Sequence, residues 1–159
     1  MTATPAIDGW FTTEPEPALT ADRCTSCGTV FFPPTAAAAG FCRNPACEGE
    51  TFEQTALARR GRIWSYTDAQ YRPPAPYIPA TDPYEPFALA AVELPEGLVV
   101  LGQVAAGYGV ADLRVGAEAE LVVEPLYTEQ GEDGEVQRTI WRWRPVAVQA
   151  AAAGAGEQA

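Results

Sequence analysis

The sequence predicts a mainly β protein in which a small cysteine-stapled ribbon precedes a compact five-stranded barrel. Three observations carry that prediction. Four cysteines stand near the N-terminus as two knuckles, Cys24–Cys27 and Cys42–Cys47. From Thr51 onward, short stretches rich in β-branched and aromatic residues alternate with turns marked by Gly and Pro. The chain has 159 residues, 47% of them apolar and only 19% charged. That suffices for a core of ordinary size but not for two full-sized domains.

Residues 1–22 are expected to form an arm or a short helix ahead of the ribbon. Pro15 and Pro17 interrupt the stretch, and Trp10 and Phe11 stand side by side within it. Two aromatics so close together are either anchors for a partner or packing for the chain's own core. The first residues lack the basic and apolar leader pattern, and no run reaches the roughly 20 apolar residues of a membrane-spanning helix. The expected location is cytoplasmic, with no membrane partner. In that reducing compartment, paired cysteines bind metal more often than they form disulfides.

Residues 23–54 then read as a rubredoxin-like ribbon holding one tetrahedral ion on Cys24, Cys27, Cys42 and Cys47. A two-residue gap lets both thiolates of the first knuckle face one ion, and Gly28 allows the backbone to turn tightly behind Cys27. Asn44-Pro45 supplies turn chemistry inside the wider second knuckle. Zinc is favoured over iron, since nothing in the sequence suggests electron transfer, although four thiolates accept either ion. Four protein ligands leave no open coordination position, so the zinc is structural and the alternative is a pair of disulfides.

Residues 55–146 are assigned to the barrel. Strand-like segments run over Thr51–Leu57, Arg62–Tyr71, Phe87–Leu94, Leu98–Ala105, Ala119–Tyr127 and Val136–Trp143. Pro95-Glu96-Gly97 and Gln130–Gly134 read as hairpin turns, which makes consecutive strands antiparallel. The less regular stretch from Gly107 to Gly116 has room for a helical turn. Together these features fit the five-stranded Greek-key barrel of the OB-fold. Residues 147–159 form an Ala-rich tail of low complexity, expected to fray or to become helical only against a partner.

Charge and composition narrow the function. The formal net charge is −11, which opposes nonspecific nucleic-acid binding. All ten basic residues are arginine and histidine is absent, so the chain alone supplies no Ser/His/Asp or Cys/His catalytic set. In the last strand Trp141 and Trp143 fall on one face, with Arg138, Arg142 and Arg144 on the other. Core against solvent is the simple account of that pattern. A base-stacking surface is the sharper one, and it belongs to the alternative reading of the chain as a nucleic-acid-binding ribbon and barrel.

An ordered set of motifs carries a family resemblance. It comprises Cys24-x-x-Cys27-Gly28, Phe32-Pro33-Pro34, the Cys42–Cys47 knuckle, Gly61-Arg62-Ile63-Trp64-Ser65-Tyr66-Thr67, a proline-rich loop, Ala90 to Gly97, and Arg144-Pro145. From about Trp10 to Pro145 the chain resembles the zinc-ribbon OB-fold family catalogued as domain of unknown function thirty-five. The resemblance implies an accessory or scaffold subunit, not catalytic alone, of a thiolase-fold enzyme that makes or breaks carbon–carbon bonds in acyl-CoA substrates. Such partners include thiolases and the lipid-transfer-protein-like aldolases of steroid side-chain degradation. A CoA thioester is then the substrate of the complex, and an enoyl-CoA hydratase-like subunit is a further implied partner. The wide second knuckle departs from the family's common pattern.

Two groups of residues are candidates for contact. Arg59, Arg60, Arg62 and Arg72 stand against the single acid Asp68 between Thr55 and Ala75, an island suited to CoA phosphates or to an acidic partner. Residues 72–86 form a stiff, proline-rich loop. With Tyr71, it presents Tyr77, Ile78 and Tyr84 at little ordering cost, and together with Trp10 and Phe11 these are the expected partner interface.

Overall fold

The computed structural model describes residues 2–147. It consists of β1 (Thr2–Pro5), β2 (Phe11–Thr12), β3 (Ala18–Cys24), β4 (Val30–Phe31), α1 (Ala36–Ala39), β5 (Phe52–Ala56), β6 (Arg60–Ala69), β7 (Phe87–Glu93), β8 (Val99–Val104), β9 (Glu118–Gly131) and β10 (Gly134–Pro145). The expected Ala-rich tail lies, from residue 148 on, outside the described residues. A single 3₁₀ turn, Val110–Asp112, occupies the Gly107–Gly116 connection.

Five strands close the barrel in the order β6-β7-β8-β10-β9, with β9 returning to β6 at Arg60–Arg62. Within that ring the β8–β10 contact is parallel and the others are antiparallel, the topology of an OB-fold. The strands form because their alternation matches the pleat: Ala88, Ala90 and Val92 of β7 point inward, as do Thr139, Trp141 and Trp143 of β10. Gly97, at φ +85°, turns the first hairpin. The second hairpin is tighter than the sequence suggests, because Gly131 and Gly134 pair across a loop of only Glu132 and Asp133.

No helix forms in residues 2–22. Instead β1 lies parallel to β10, from Thr2 opposite Val136 to Pro5 opposite Thr139, and β2 pairs with β3. The reason is an edge. The N-terminal half of β10 extends past β8, and β1 satisfies backbone groups that would otherwise be left unpaired.

The ribbon is a small sheet in which β3 pairs with β2, β4 and β5. Leu19, Ala21 and Val30 from this sheet share one continuous core with Leu57, Ile63, Val92, Leu121 and Trp143 of the barrel side. Trp141 joins the two parts. Its ring lies 6.3 Å from Trp10, 5.7 Å from Phe11 and 5.9 Å from Phe32, within the range of favourable aromatic contacts. Trp143 is 1% exposed, and its Nε1–H donates to the Val100 carbonyl at 3.2 Å, so its burial leaves no orphaned donor.

Candidate metal centre and contact surface

The four cysteines converge. Cys24 ends β3, Cys27 follows after one turn, and Cys42 and Cys47 come from the loop between α1 and β5. Their Sγ atoms all lie within 4.8 Å of one another. Cys24 to Cys47 spans 3.9 Å and Cys27 to Cys42 spans 3.7 Å. A regular tetrahedron with metal–sulfur bonds of about 2.3 Å has edges of about 3.8 Å. The four thiolates therefore fit one tetrahedral ion and leave it no site for substrate, which makes the metal structural.

Backbone turns hold this arrangement. The Gly28 N–H donates to the Cys24 carbonyl at 2.9 Å, and Gly28 sits at φ +75°, where a side chain would be strained. In the second knuckle the extra residues are taken up by a turn. Cys47 N–H donates to the Asn44 carbonyl at 2.9 Å, and Asn44 Oδ1 accepts the Ala46 N–H at 3.1 Å. Asn44 Nδ2 also donates to Thr29 Oγ1 at 3.3 Å, tying the two knuckles together. Behind them, buried Asp22 accepts the Ala37 N–H at the start of α1 at 2.9 Å.

Two supporting residues are not evident from the cysteine spacing. Thr29 Oγ1 lies 3.1 Å from Cys27 Sγ. Hydrogen bonding from the Thr29 side chain and backbone holds the Cys27 thiol down to about 6. Burial pushes Cys42 the other way, up to about 12. Gly49 donates its N–H to Cys47 Sγ at 3.3 Å. A Cβ at that position would stand 2.8 Å from Cys24 Sγ and 2.9 Å from Ser26 Oγ. Each residue lies two positions after the second cysteine of its knuckle, the one sequence signal that marks them.

The contact candidates do not form one surface. Phe11 is 3% exposed and belongs to this chain's own core, and Trp10 is partly buried against the same cluster. Tyr77 stacks on Phe87 at 6.2 Å, and Tyr84 donates its hydroxyl to the Ala69 carbonyl at 2.6 Å. Tyr71 at 77% and Ile78 at 56% remain exposed. So does Trp64, which follows inward-facing Ile63 on β6 and so points outward, at a register shift between Ile63 and Ser65.

Among the arginines, Arg59 pairs with Glu16 at 3.5 Å, and Arg60 with Glu118 and Glu120 at 3.4 and 3.2 Å. Arg62 donates to the Gly116 carbonyl at 3.0 Å. Arg62 and Arg72 have no carboxylate partner among the described residues. Trp141 and Trp143 are buried and offer bases no stacking face. No helix among the described residues is long and apolar enough to cross a membrane.

A four-thiolate ribbon sharing its core with an OB barrel defines the class: a zinc-ribbon OB-fold protein. Residues 14–53 match the model of the ChsH2 rubredoxin-like zinc ribbon domain, and residues 54–124 that of the ChsH2 C-terminal OB-fold domain. The chain is 30% identical over 115 residues to a DUF35 domain-containing scaffold protein of Methanocaldococcus jannaschii, covering 72% of each. The chain belongs to the DUF35 family. It is also 31% identical over 107 residues to the benzoylsuccinyl-CoA thiolase subunit BbsA of Thauera aromatica, a match spanning 67% of this chain and 64% of that subunit. Among solved structures it resembles an Ltp2-ChsH2(DUF35) aldolase with a TM-score of 0.55 and 25% identity, covering 80% of this chain and 84% of that one.

Proposed function

We propose that this chain is the accessory scaffold subunit of a thiolase-fold enzyme that makes or breaks a carbon–carbon bond in an acyl-CoA substrate. The observation that carries this reading is the company its relatives keep. One is named as a subunit of a thiolase and one belongs to an aldolase complex. The chemistry of the chain agrees: it has neither His nor Lys, and its four thiols converge on one closed metal site. The partner then supplies the catalytic residues.

In this reading the metal is zinc, and it fixes the ribbon without taking part in turnover. Exposed Trp64, Tyr71 and Ile78 face the thiolase-fold partner. Arg62 and Arg72, the two candidate arginines without a carboxylate partner among the described residues, attract the CoA phosphates. An enoyl-CoA hydratase-like subunit is a further proposed partner, and the cytoplasm the proposed location.

Affinity capture of the tagged chain from its host's lysate after nuclease treatment, read by mass spectrometry, tests the reading. A thiolase-fold protein retained at near-equal stoichiometry is expected. Absence of a thiolase-fold protein, with the captured partners lost on nuclease treatment, would overturn it. In the captured complex, Arg62→Ala with Arg72→Ala should raise the KM for the CoA substrate and leave assembly intact.

A further inference from the structure

An apolar band runs across the outside of β6, β7 and β8. On β7, Ala88, Ala90 and Val92 point inward, so Leu89, Ala91 and Glu93 point out. Pairing sets Ala91 between Ser65 of β6 and Leu101 of β8, and Glu93 between Arg62 and Val99. Trp64 reaches this face beside Ser65. Val115 flanks it, since the adjoining Gly116 N–H donates to the Ile63 carbonyl at 2.8 Å. Val115 is 69% exposed, Trp64 61%, Leu101 59% and Val99 47%, with half-buried Leu89 and Ala91 between them.

Single exposed apolar residues are ordinary, but a contiguous set with polar margins marks an interaction surface. The band is built like the centre of a protein interface. A tryptophan and aliphatic side chains form it without a charge among them, and Arg62, Arg114 and Glu93 stand at its margin. None of these three has an ion-pair partner among the described residues. That margin is locally positive in a chain of net charge −11. A second copy is disfavoured, because two chains of that charge repel. Oligonucleotides occupy the same strands of other OB-folds, where bases stack on successive aromatics along a positive groove. Here one aromatic stands among aliphatics. The surface therefore fits a different protein, apolar where the two meet and acidic at the margin.

We propose that this band is the surface on which the thiolase-fold subunit docks. Docking here rests on the scaffold role proposed above and adds the position of the seam. Arg62 links the two. If it attracts CoA phosphates for chemistry performed in the partner, it must stand at the edge of the contact, and it lies two residues from Trp64 at the margin of the band. Trp64 is the anchor at the centre, Val115, Leu101 and Val99 exclude water around it, and Arg114 meets a carboxylate of the partner.

Binding of the full-length, metal-loaded chain to the thiolase-fold subunit purified from the captured complex tests the proposal. Leu101→Asp puts a charge into the band at an exposed position and should lower the affinity by about tenfold or more. Arg114→Glu should slow association by about threefold at low salt. Tyr108→Asp, exposed beside Ala105 where β8 meets β10, should bind as the parent does. Hydroxyl-radical footprinting needs no variant, and Trp64 should be oxidised in the free chain and protected in the complex. Parent-like affinity in Leu101→Asp, or Trp64 oxidised equally in both states, would overturn the docking surface and leave the scaffold role standing. Failure of the parent chain to capture any thiolase-fold protein overturns both. A free chain that is dimeric and turns monomeric in Leu101→Asp, or that binds single-stranded DNA and loses it in that variant, would give the band to a second copy or to nucleic acid and overturn the proposal.

Discussion

Thr29 sets the protonation of Cys27, and Gly49 leaves room for Cys24, so the metal centre depends on two residues that are not ligands. A metal competes with protons for thiolates. Hydrogen bonding with the Thr29 hydroxyl and backbone lowers the Cys27 thiol, to about 6, and so favours the thiolate form that a metal binds. Thr29→Val removes the hydroxyl and lets the thiol rise toward its ordinary value. The variant should therefore release metal at a higher pH than the parent, which a colorimetric chelator titrated against pH will record. Gly49→Ala forces a methyl against Cys24 Sγ. A loss of about tenfold or more in metal affinity is expected, the usual effect of disturbing groups that orient ligands, and competition with a chelator of known affinity measures it.

Between β9 and β10, a ladder of ion pairs lines the outer face: Arg138 with Glu129, Arg142 with Glu124, and Arg144 with Glu120. Exposed pairs of this kind contribute little singly. Glu120 is the most enclosed carboxylate of the three and also receives Arg60. Its hydrogen bond with Arg144 holds its carboxyl below the usual range, against the opposing effect of burial. Because the folded value is the lower one, its stabilisation is complete above the ordinary carboxylate value and is lost as the pH falls through the depressed value. Glu120→Gln should cost about 1 kcal/mol or less at neutral pH. It should also flatten the decline of stability below about pH 4.5, as denaturant melts across an acid series will show. The inner face of β10 has a different task, since Trp141 carries the contact between ribbon and barrel.

Across the whole molecule, that shared core couples the metal to the barrel. Stripping the ion frees the loops around Cys24 and Cys42 and weakens the support that Leu19, Ala21 and Val30 lend to the barrel side. Chelation should lower the melting temperature of the entire chain by about 10 °C or more, given several kcal/mol of metal-linked folding energy. A single calorimetric transition is expected, not an early ribbon melt followed by an unchanged barrel.

Much of this was legible in the residues. The knuckle spacing named all four thiols that converge, because ligands on tight turns are local in sequence. Richness in β-branched and aromatic residues between Gly- and Pro-marked turns located every barrel strand to within a few residues, because such side chains suit a pleated, half-buried surface. The motif order identified the family. What the sequence could not decide were events between distant segments. The pairing of β1 with β10, the burial of Phe11 against Trp141, the neutralisation of Arg59 by Glu16 and of Arg60 by Glu118 and Glu120, and the packing of the Trp141 and Trp143 indoles against Gly102 all join residues far apart along the chain. Local pattern fixes which face of a strand is apolar. Only closure of the barrel fixes what that face meets.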